Sequence, residues 1–334
     1  MNPNIFKEKI NSSEFIININ NYKKELINIL NYKSEKFIMI IGPCSIHNYE
    51  EYIDYLNKFS EIVKKYESKL FIMIRAYSEK SRSTGHWKGF LNDPDLDNSC
   101  DIKKGIELTR KIFYKISEKN IPIATEILCP LTCYYLNDFV TWSAIGARSC
   151  EFQINRIVAS DFDYPIGFKN DRKGDIKTPI EGIKYSSNKH SFITIDDDGK
   201  SIIKKTNGNK NNHIILRGSL DGVNYKKENI LETENMLSKH KVNTKIIIDC
   251  SHDNCLRSQD PMNCHKNQEK VVDDVIKQIK EGNKSICGLM IESNINEGNQ
   301  KMDNENLKYG VSITDPCINL EDTDRILKKI FDAL

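Results

Sequence analysis

Eight short apolar runs, rich in β-branched residues, recur along the whole chain. They are Phe37–Ile41, Leu70–Ile74, Ile123–Ile127, Trp142–Ala147, Pro165–Phe168, His213–Leu216, Lys245–Asp249 and Ile286–Ile291. Runs of this kind suit parallel strands buried on both faces. Amphipathic stretches separate many of them. Tyr52–Tyr66, Lys103–Lys119, Leu231–His240 and Lys270–Glu281 place apolar residues three and four apart, and Glu321–Leu334 closes the chain with another helix. Strands alternating mostly with helices predict a closed α/β architecture, the (β/α)8 TIM barrel. A doubly wound open sheet competes with it. No Gly-x-Gly-x-x-Gly follows the first run, which removes the dinucleotide-binding version of that alternative.

Two segments exceed a minimal barrel, which itself is expected to span residues 37–334. Residues 1–36 read as a mostly helical N-terminal arm, with Asn20–Leu30 its best helix. Ser191–Ile195 and Ser201–Lys205 flank Asp198-Gly199, a turn dipeptide, and predict a β-hairpin inserted at 191–205. An arm and an exposed hairpin serve subunit contacts or regulation, or merely decorate the surface.

Bulk composition narrows the partners. Charged residues make up 29% of the 334, yet the net charge is +2, so neither nucleic acid nor an acidic membrane surface is called for. No apolar run is long enough to cross a bilayer, and Met1–Phe15 lacks a signal-peptide core, so the expected location is the cytoplasm. The ten cysteines are scattered without a Cys-x-x-Cys pair, which predicts reduced thiols, most of them buried.

In a parallel barrel the chemistry sits where the strands end. The first run ends in Gly42-Pro43-Cys44-Ser45. The second ends at Arg75, with Lys80 and Arg82 beyond it. The third contains Glu126, and Arg148, Lys169 and Arg217 follow the next three. The seventh runs into Asp249-Cys250-Ser251-His252, the eighth ends at Glu292, and Asp315 lies in the loop after it. Two chemistries separate from these positions. Arg75, Lys80, Arg148, Lys169 and Arg217 would repel one another unless anions neutralised them, which implies a small, multiply anionic substrate. Read singly, each is an ordinary solvated cation. Cys44, His252, Glu292 and Asp315 offer a thiolate, an imidazole and two carboxylates. That mixed set suits a divalent Mn, Fe, Co or Zn ion better than Mg or Ca. Read singly, Cys44 is a small buried hydrophobe and Asp315 a loop residue. The other histidines, His47, His86, His190, His213, His240 and His265, are expected to be structural or solvent-exposed.

Long motifs carry a resemblance. They are Ile41-Gly42-Pro43-Cys44-Ser45-Ile46-His47, Trp87-Lys88-Gly89, Gly146-Ala147-Arg148, Gly167-Phe168-Lys169-Asn170, His213-Ile214-Ile215-Leu216-Arg217-Gly218, Glu297-Gly298-Asn299-Gln300 and Tyr309-Gly310-Val311-Ser312-Ile313-Thr314-Asp315. Through them the chain resembles the 3-deoxy-7-phosphoheptulonate (DAHP) synthases of enteric bacteria and yeast, from about Phe37 to the C-terminus. The resemblance implies condensation of phosphoenolpyruvate with erythrose 4-phosphate and water, the first step of the shikimate pathway. It implies that Cys44, His252, Glu292 and Asp315 bind one divalent metal ion. Arg75, Lys80, Arg148, Lys169 and Arg217 would then hold phosphoenolpyruvate beside Glu126, and Arg82 and Ser83 the phosphate of the sugar. Lys80, Cys44 and His252 would carry the chemistry. Lys80 would donate a proton, its pKa lowered by the other cations. A homo-oligomer, dimer or tetramer, is implied, as is inhibition by an aromatic amino acid.

The sequence also departs from that family. Its usual Lys-Pro-Arg-Thr reads here Lys80-Ser81-Arg82-Ser83, so a fixed φ is lost and the loop should loosen. The arm is shorter than usual, and Pro130, Cys133, Val158, Phe162, Asp163, Phe192 and Thr194 match the family's regulatory region only in part. Asp253-Asn254-Cys255 and the Asp198-Gly199 hairpin lean toward the tryptophan-sensitive subtype. Two alternatives remain: a sister synthase using another sugar phosphate, such as 3-deoxy-octulosonate 8-phosphate synthase, and a non-catalytic regulatory paralogue.

Overall fold

The computed structural model describes residues 1–82, 86–255, 261–302 and 306–334. The chain opens with α1 (Pro3–Lys9) and α2 (Ile16–Leu30), then β1 (Phe37–Gly42), α3 (Tyr49–Val63), β2 (Leu70–Arg75), α4 (Ile102–Glu118), β3 (Ile123–Glu126) and β4 (Val140–Ile145). It continues through α5 (Gln153–Val158), β5 (Ile166–Lys169), α6 (Lys177–Ser186), β6 (Ser191–Ile195), β7 (Ser201–Lys205), β8 (His213–Leu216) and α7 (Lys227–His240). It ends with β9 (Ile246–Asp249), α8 (Gln268–Lys280), β10 (Ile286–Glu292) and α9 (Leu320–Ala333).

Eight parallel strands close in the order β1-β10-β9-β8-β5-β4-β3-β2, and β6 pairs with β7 as a separate antiparallel hairpin. This is the (β/α)8 barrel that the spacing of apolar runs predicts. The fourth strand begins and ends two residues earlier than its run suggests; Gly146-Ala147-Arg148 lies beyond its end. Three helices had no signal in the periodicity. α1 and α5 are seven and six residues long, too short to display a stripe. α6 carries Pro179 and Gly182, yet it is nucleated by Asp175, whose carboxylate accepts the Lys177 and Thr178 N–H groups at 3.0 Å each. Among the described residues no helix is long and apolar enough to cross a membrane.

Strand periodicity divides the interior in two. Phe37, Met39 and Ile41 of β1, or Leu70, Ile72 and Ile74 of β2, pack outward against the helices. Ile38 and Ile40, Phe71 and Met73, Trp142 and Ala144, Ile215 and Ile247 pack together in the lumen. Gly167 makes the lumen possible: a Cβ there would meet Ile215 Cδ1 at 2.5 Å and Trp142 Cζ2 at 2.7 Å. Leu26, Ile29 and Leu30 of α2 join this inner cluster and close the floor of the barrel. Each is fully buried, which contributes roughly 1.5–3 kcal/mol per side chain. The arm is also tied at its start. Buried Arg110 of α4 donates to the Phe6, Ile10 and Tyr135 carbonyls and pairs with Asp138, while Asn4 N–H donates to the Asp197 carbonyl at the hairpin turn at 2.8 Å.

Candidate active site

The inward positions of the strands do not stop being inward when they stop being apolar. Two residues beyond Met73 comes Arg75, beyond Ala124 comes Glu126, and beyond Ile215 comes Arg217. Beyond Ile247 comes Asp249, and beyond Met290 comes Glu292. Lys169 has the same relation to Gly167. A cavity of about 380 Å³ opens above them, lined among others by Arg75, Lys80, Glu126, Arg148, Lys169, Arg217, His252, Glu292 and Asp315. Cys44 lies fully buried just behind it. The structure therefore brings the expected cations and the expected ligands to one mouth. Arg82 and Ser81 stand at its edge. Ser83 lies outside the described residues.

The ligand cluster is tight. Single donor atoms of Cys44, Glu292 and Asp315 all lie within 4.8 Å of one another. His252 Nε2 is 3.5 Å from Glu292 Oε1 and 3.6 Å from Asp315 Oδ2. Glu292 is held from below: Gln268 exchanges two hydrogen bonds with its backbone at 2.9 and 3.0 Å, and Arg75 Nη2 donates to its carboxylate at 3.0 Å. The donor set fits a divalent cation. Burial and the adjacent Asp315 and Glu292 carboxylates push the Cys44 thiol well up, and a cation at this point would reverse that.

The positive charge found there belongs to Lys80. Its ammonium is 2.7 Å from Cys44 Sγ and 3.0 Å from Asp315 Oδ2. This corrects the expectation of a lysine crowded by cations with a lowered pKa. Burial alone would lower it, but Cys44, Asp315 and Glu292 outweigh burial and raise it. The same contact holds the Asp315 carboxyl below the usual range.

The cations differ in what they are free to do. Arg75 stacks on Tyr77 at 3.7 Å and donates to the Pro43 and Cys44 carbonyls as well as to Glu292. Most of its fork is thus spent inside the protein. Arg217 pairs with Asp253. For Arg148, burial and then the neighbouring Arg172 and Arg217 guanidinia lower the pKa, opposed by the Asp315 and Glu126 carboxylates. Glu126 keeps its place because residue 146 is glycine; a Cβ there would lie 2.2 Å from Glu126 Oε1.

Four residues escaped the sequence reading. Arg172 and His86 line the cavity from loops that carry no periodic signal. Tyr77 underlies Arg75. Asp249 is fully buried and takes Lys169 Nζ at 2.7 Å and His252 Nδ1 at 2.8 Å. Burial would raise its carboxyl, but His252 and Lys169 hold it well below the usual range. Its parity with Ile247 was the available signal.

The chain is similar to known proteins over nearly its whole length. The model of the DAHP synthetase I family matches residues 14–328. The phenylalanine-inhibited phospho-2-dehydro-3-deoxyheptonate aldolase of Saccharomyces cerevisiae is 39% identical over 308 residues, covering 90% of this chain and 81% of that protein. The Tyr-sensitive enzyme of Escherichia coli is 37% identical over 314 residues, 93% and 86% respectively. The Trp-sensitive enzyme of Enterobacter agglomerans is 35% identical over 333 residues, 99% and 94%. The solved phospho-2-dehydro-3-deoxyheptonate aldolase of Francisella tularensis superposes with a TM-score of 0.95 at 37% identity, covering 100% of this chain and 96% of its own.

Proposed function

The chain belongs to the DAHP synthetase I family, and on that premise we propose that its barrel mouth joins an anion site for phosphoenolpyruvate to a divalent-metal site. It condenses phosphoenolpyruvate with D-erythrose 4-phosphate and water to 3-deoxy-D-arabino-heptulosonate 7-phosphate and phosphate, the first step of the shikimate pathway to aromatic amino acids. The observation that carries the site reading is the convergence of four ligand side chains and a ring of cations on one cavity.

In this reading Arg148, Lys169 and Arg217 hold the carboxylate and phosphate of phosphoenolpyruvate, with Arg172 beside them and Glu126 at the pocket edge. Two substrates that both carry phosphate repel each other, so much of the contribution of these cations is positioning. Arg75 faces the same cavity and steadies Glu292. Arg82 and Ser83 take the sugar phosphate. Cys44, His252, Glu292 and Asp315 would hold Mn, Fe, Co or Zn; when bound, the ion would supply Lewis acidity to the sugar aldehyde or to the water that adds at carbon 2 of phosphoenolpyruvate. Carbon 3 of phosphoenolpyruvate attacks that aldehyde, water adds at carbon 2, and phosphate leaves by carbon–oxygen cleavage. Lys80 donates the proton to the new alkoxide.

Chelator-treated protein resupplied with Mn²⁺, Co²⁺, Zn²⁺ or Fe²⁺ tests this, with phosphoenolpyruvate consumption as readout. Turnover is expected with erythrose 4-phosphate and a restored ion, and not with arabinose 5-phosphate. Full turnover after chelation overturns the metal reading, and preference for the five-carbon sugar favours the sister synthase.

The arm at residues 1–36 and the hairpin at 191–205 form the contact and regulatory module in this proposal. Ile193 and Ile203, opposite each other on the hairpin, are 76% and 71% exposed, which suits burial against a second copy in a dimer or tetramer. Tryptophan is the proposed inhibitor. Titrating Trp, Phe and Tyr into the assay distinguishes it from the others, and insensitivity to all three means that regulation is lost.

A further inference from the structure

One oxygen atom touches both halves of the proposed site. Asp249 Oδ2 accepts Lys169 Nζ at 2.7 Å and faces His252 Nδ1 at 2.8 Å. Its partner oxygen, Oδ1, is tied down by the Ser251 N–H at 3.0 Å and the Ser251 hydroxyl at 2.8 Å, which opposes a rotation that would give each donor its own oxygen. The carboxylate is fully buried.

A carboxylate oxygen accepts and does not donate. Contact with it fixes the His252 proton on Nδ1 and leaves the Nε2 lone pair facing Glu292 and Asp315. A cation on Nε2 would draw electron density through the imidazole and strengthen the Nδ1–H bond to Oδ2. The same oxygen would then hold Lys169 less firmly and release its ammonium toward an anion in the cavity. Linkage requires the reverse as well: an anion that draws Lys169 away leaves Oδ2 more basic toward His252 and tightens the cation.

We infer that Asp249 is a positioning residue that couples divalent-metal binding at His252 to phosphoenolpyruvate binding at Lys169, each strengthening the other. The inference rests on the site reading above and adds to it a thermodynamic link through one named atom.

Calorimetric titration separates the two. In the wild-type protein, the dissociation constant of phosphoenolpyruvate is measured with and without Mn²⁺, and that of Mn²⁺ with and without phosphoenolpyruvate. Each ligand is expected to tighten the other by the same factor, about fivefold or more. In Asp249→Asn, Mn²⁺ affinity is expected to fall by about 10- to 100-fold and the mutual factor to drop toward one. If wild type binds both ligands but Asp249→Asn keeps the full mutual factor, or wild type shows none, the coupling is overturned and the site reading stands. If wild type binds no Mn²⁺, both fall. Should the Asn variant not fold, the wild-type His252 Nδ1 proton resonance decides: it is expected to move when phosphoenolpyruvate alone is added, and a resonance that stays put overturns the coupling.

Discussion

Where the barrel strands begin, the lumen is filled by Ile38, Phe71, Trp142 and Ile215, and α2 lays Leu26, Ile29 and Leu30 across the opening. Where the strands end, the same inward positions carry Arg75, Glu126, Lys169, Arg217, Asp249 and Glu292. Only the distance along each strand separates the two ends. The floor gains free energy from every apolar contact. The mouth gathers ions whose desolvation is costly even when they pair as closely as Arg75–Glu292 at 3.0 Å and Lys169–Asp249 at 2.7 Å. The apolar end is sealed from outside the barrel, by α2.

If that division holds, variants at the two ends should fail in different ways. The largest effect is expected from Cys44→Ala, which removes a proposed ligand from the tight cluster while leaving the floor intact. Losing several kcal/mol of transition-state stabilisation lowers kcat by about 10³-fold or more, with bound metal falling in parallel. Full activity in the metal-loaded variant would remove Cys44 from the site. Leu26→Ala should do the opposite. It opens a cavity in a fully buried position and costs about 2–5 kcal/mol in denaturant unfolding, while kcat at 25 °C stays near wild type. A large loss of kcat with unchanged stability would show that α2 acts on the chemistry and would dissolve the distinction between the ends.

The floor also holds a titratable group. His213 is fully buried beside Trp142, whose Nε1–H donates to His213 Nε2 at 3.2 Å. Burial lowers its pKa from 6.5 to about 4. The folded protein therefore keeps it neutral where the unfolded chain takes up a proton. Stability from this group is complete above pH 6.5, declines as pH falls toward 4, and is lost below that, by up to roughly 3 kcal/mol. Unfolding free energies measured between pH 7 and 4 should fall less steeply in His213→Gln than in wild type. Equal slopes would mean that the imidazole is protonated in the folded state.

The eight strands were legible because a strand buried on both faces must be apolar at nearly every position, and few other structures demand that. The hairpin was legible from Asp198-Gly199 and its flanking residues. The inventory at the mouth was legible as a set of strand-end residues; what each one touches was not. Lys80 could be counted among the cations, but only the fold places it between Cys44 and Asp315 and so inverts the sense of its pKa. Arg75 reads like Arg148 in sequence, yet it spends most of its donors on Pro43, Cys44 and Glu292. Asp249 lay in view beside His252, but sequence adjacency does not reveal that a lysine 80 residues earlier shares its oxygen.

The smallest expected effect lies at the edge of the mouth, at Ser81, between Lys80 and Arg82. A proline here fixes φ and reduces the freedom of the loop before substrate arrives, which stabilises by about 0.4–1 kcal/mol where the native backbone accepts the ring. Lys80 is anchored on one side by its N–H to the Lys88 carbonyl at 2.8 Å and by its ammonium, and Arg82 on the other by Nε to the Trp87 carbonyl at 3.1 Å. The serine loop is thus already held at both charged residues, and activity should be retained in its present form. Ser81→Pro should lower KM for erythrose 4-phosphate by about two- to fivefold, leave KM for phosphoenolpyruvate unchanged, and leave kcat within about twofold. A higher KM for the sugar would mean that the loop conformation at Ser81 is incompatible with proline. The mouth of this chain would then be built around a different loop from its relatives, while the floor remained the same.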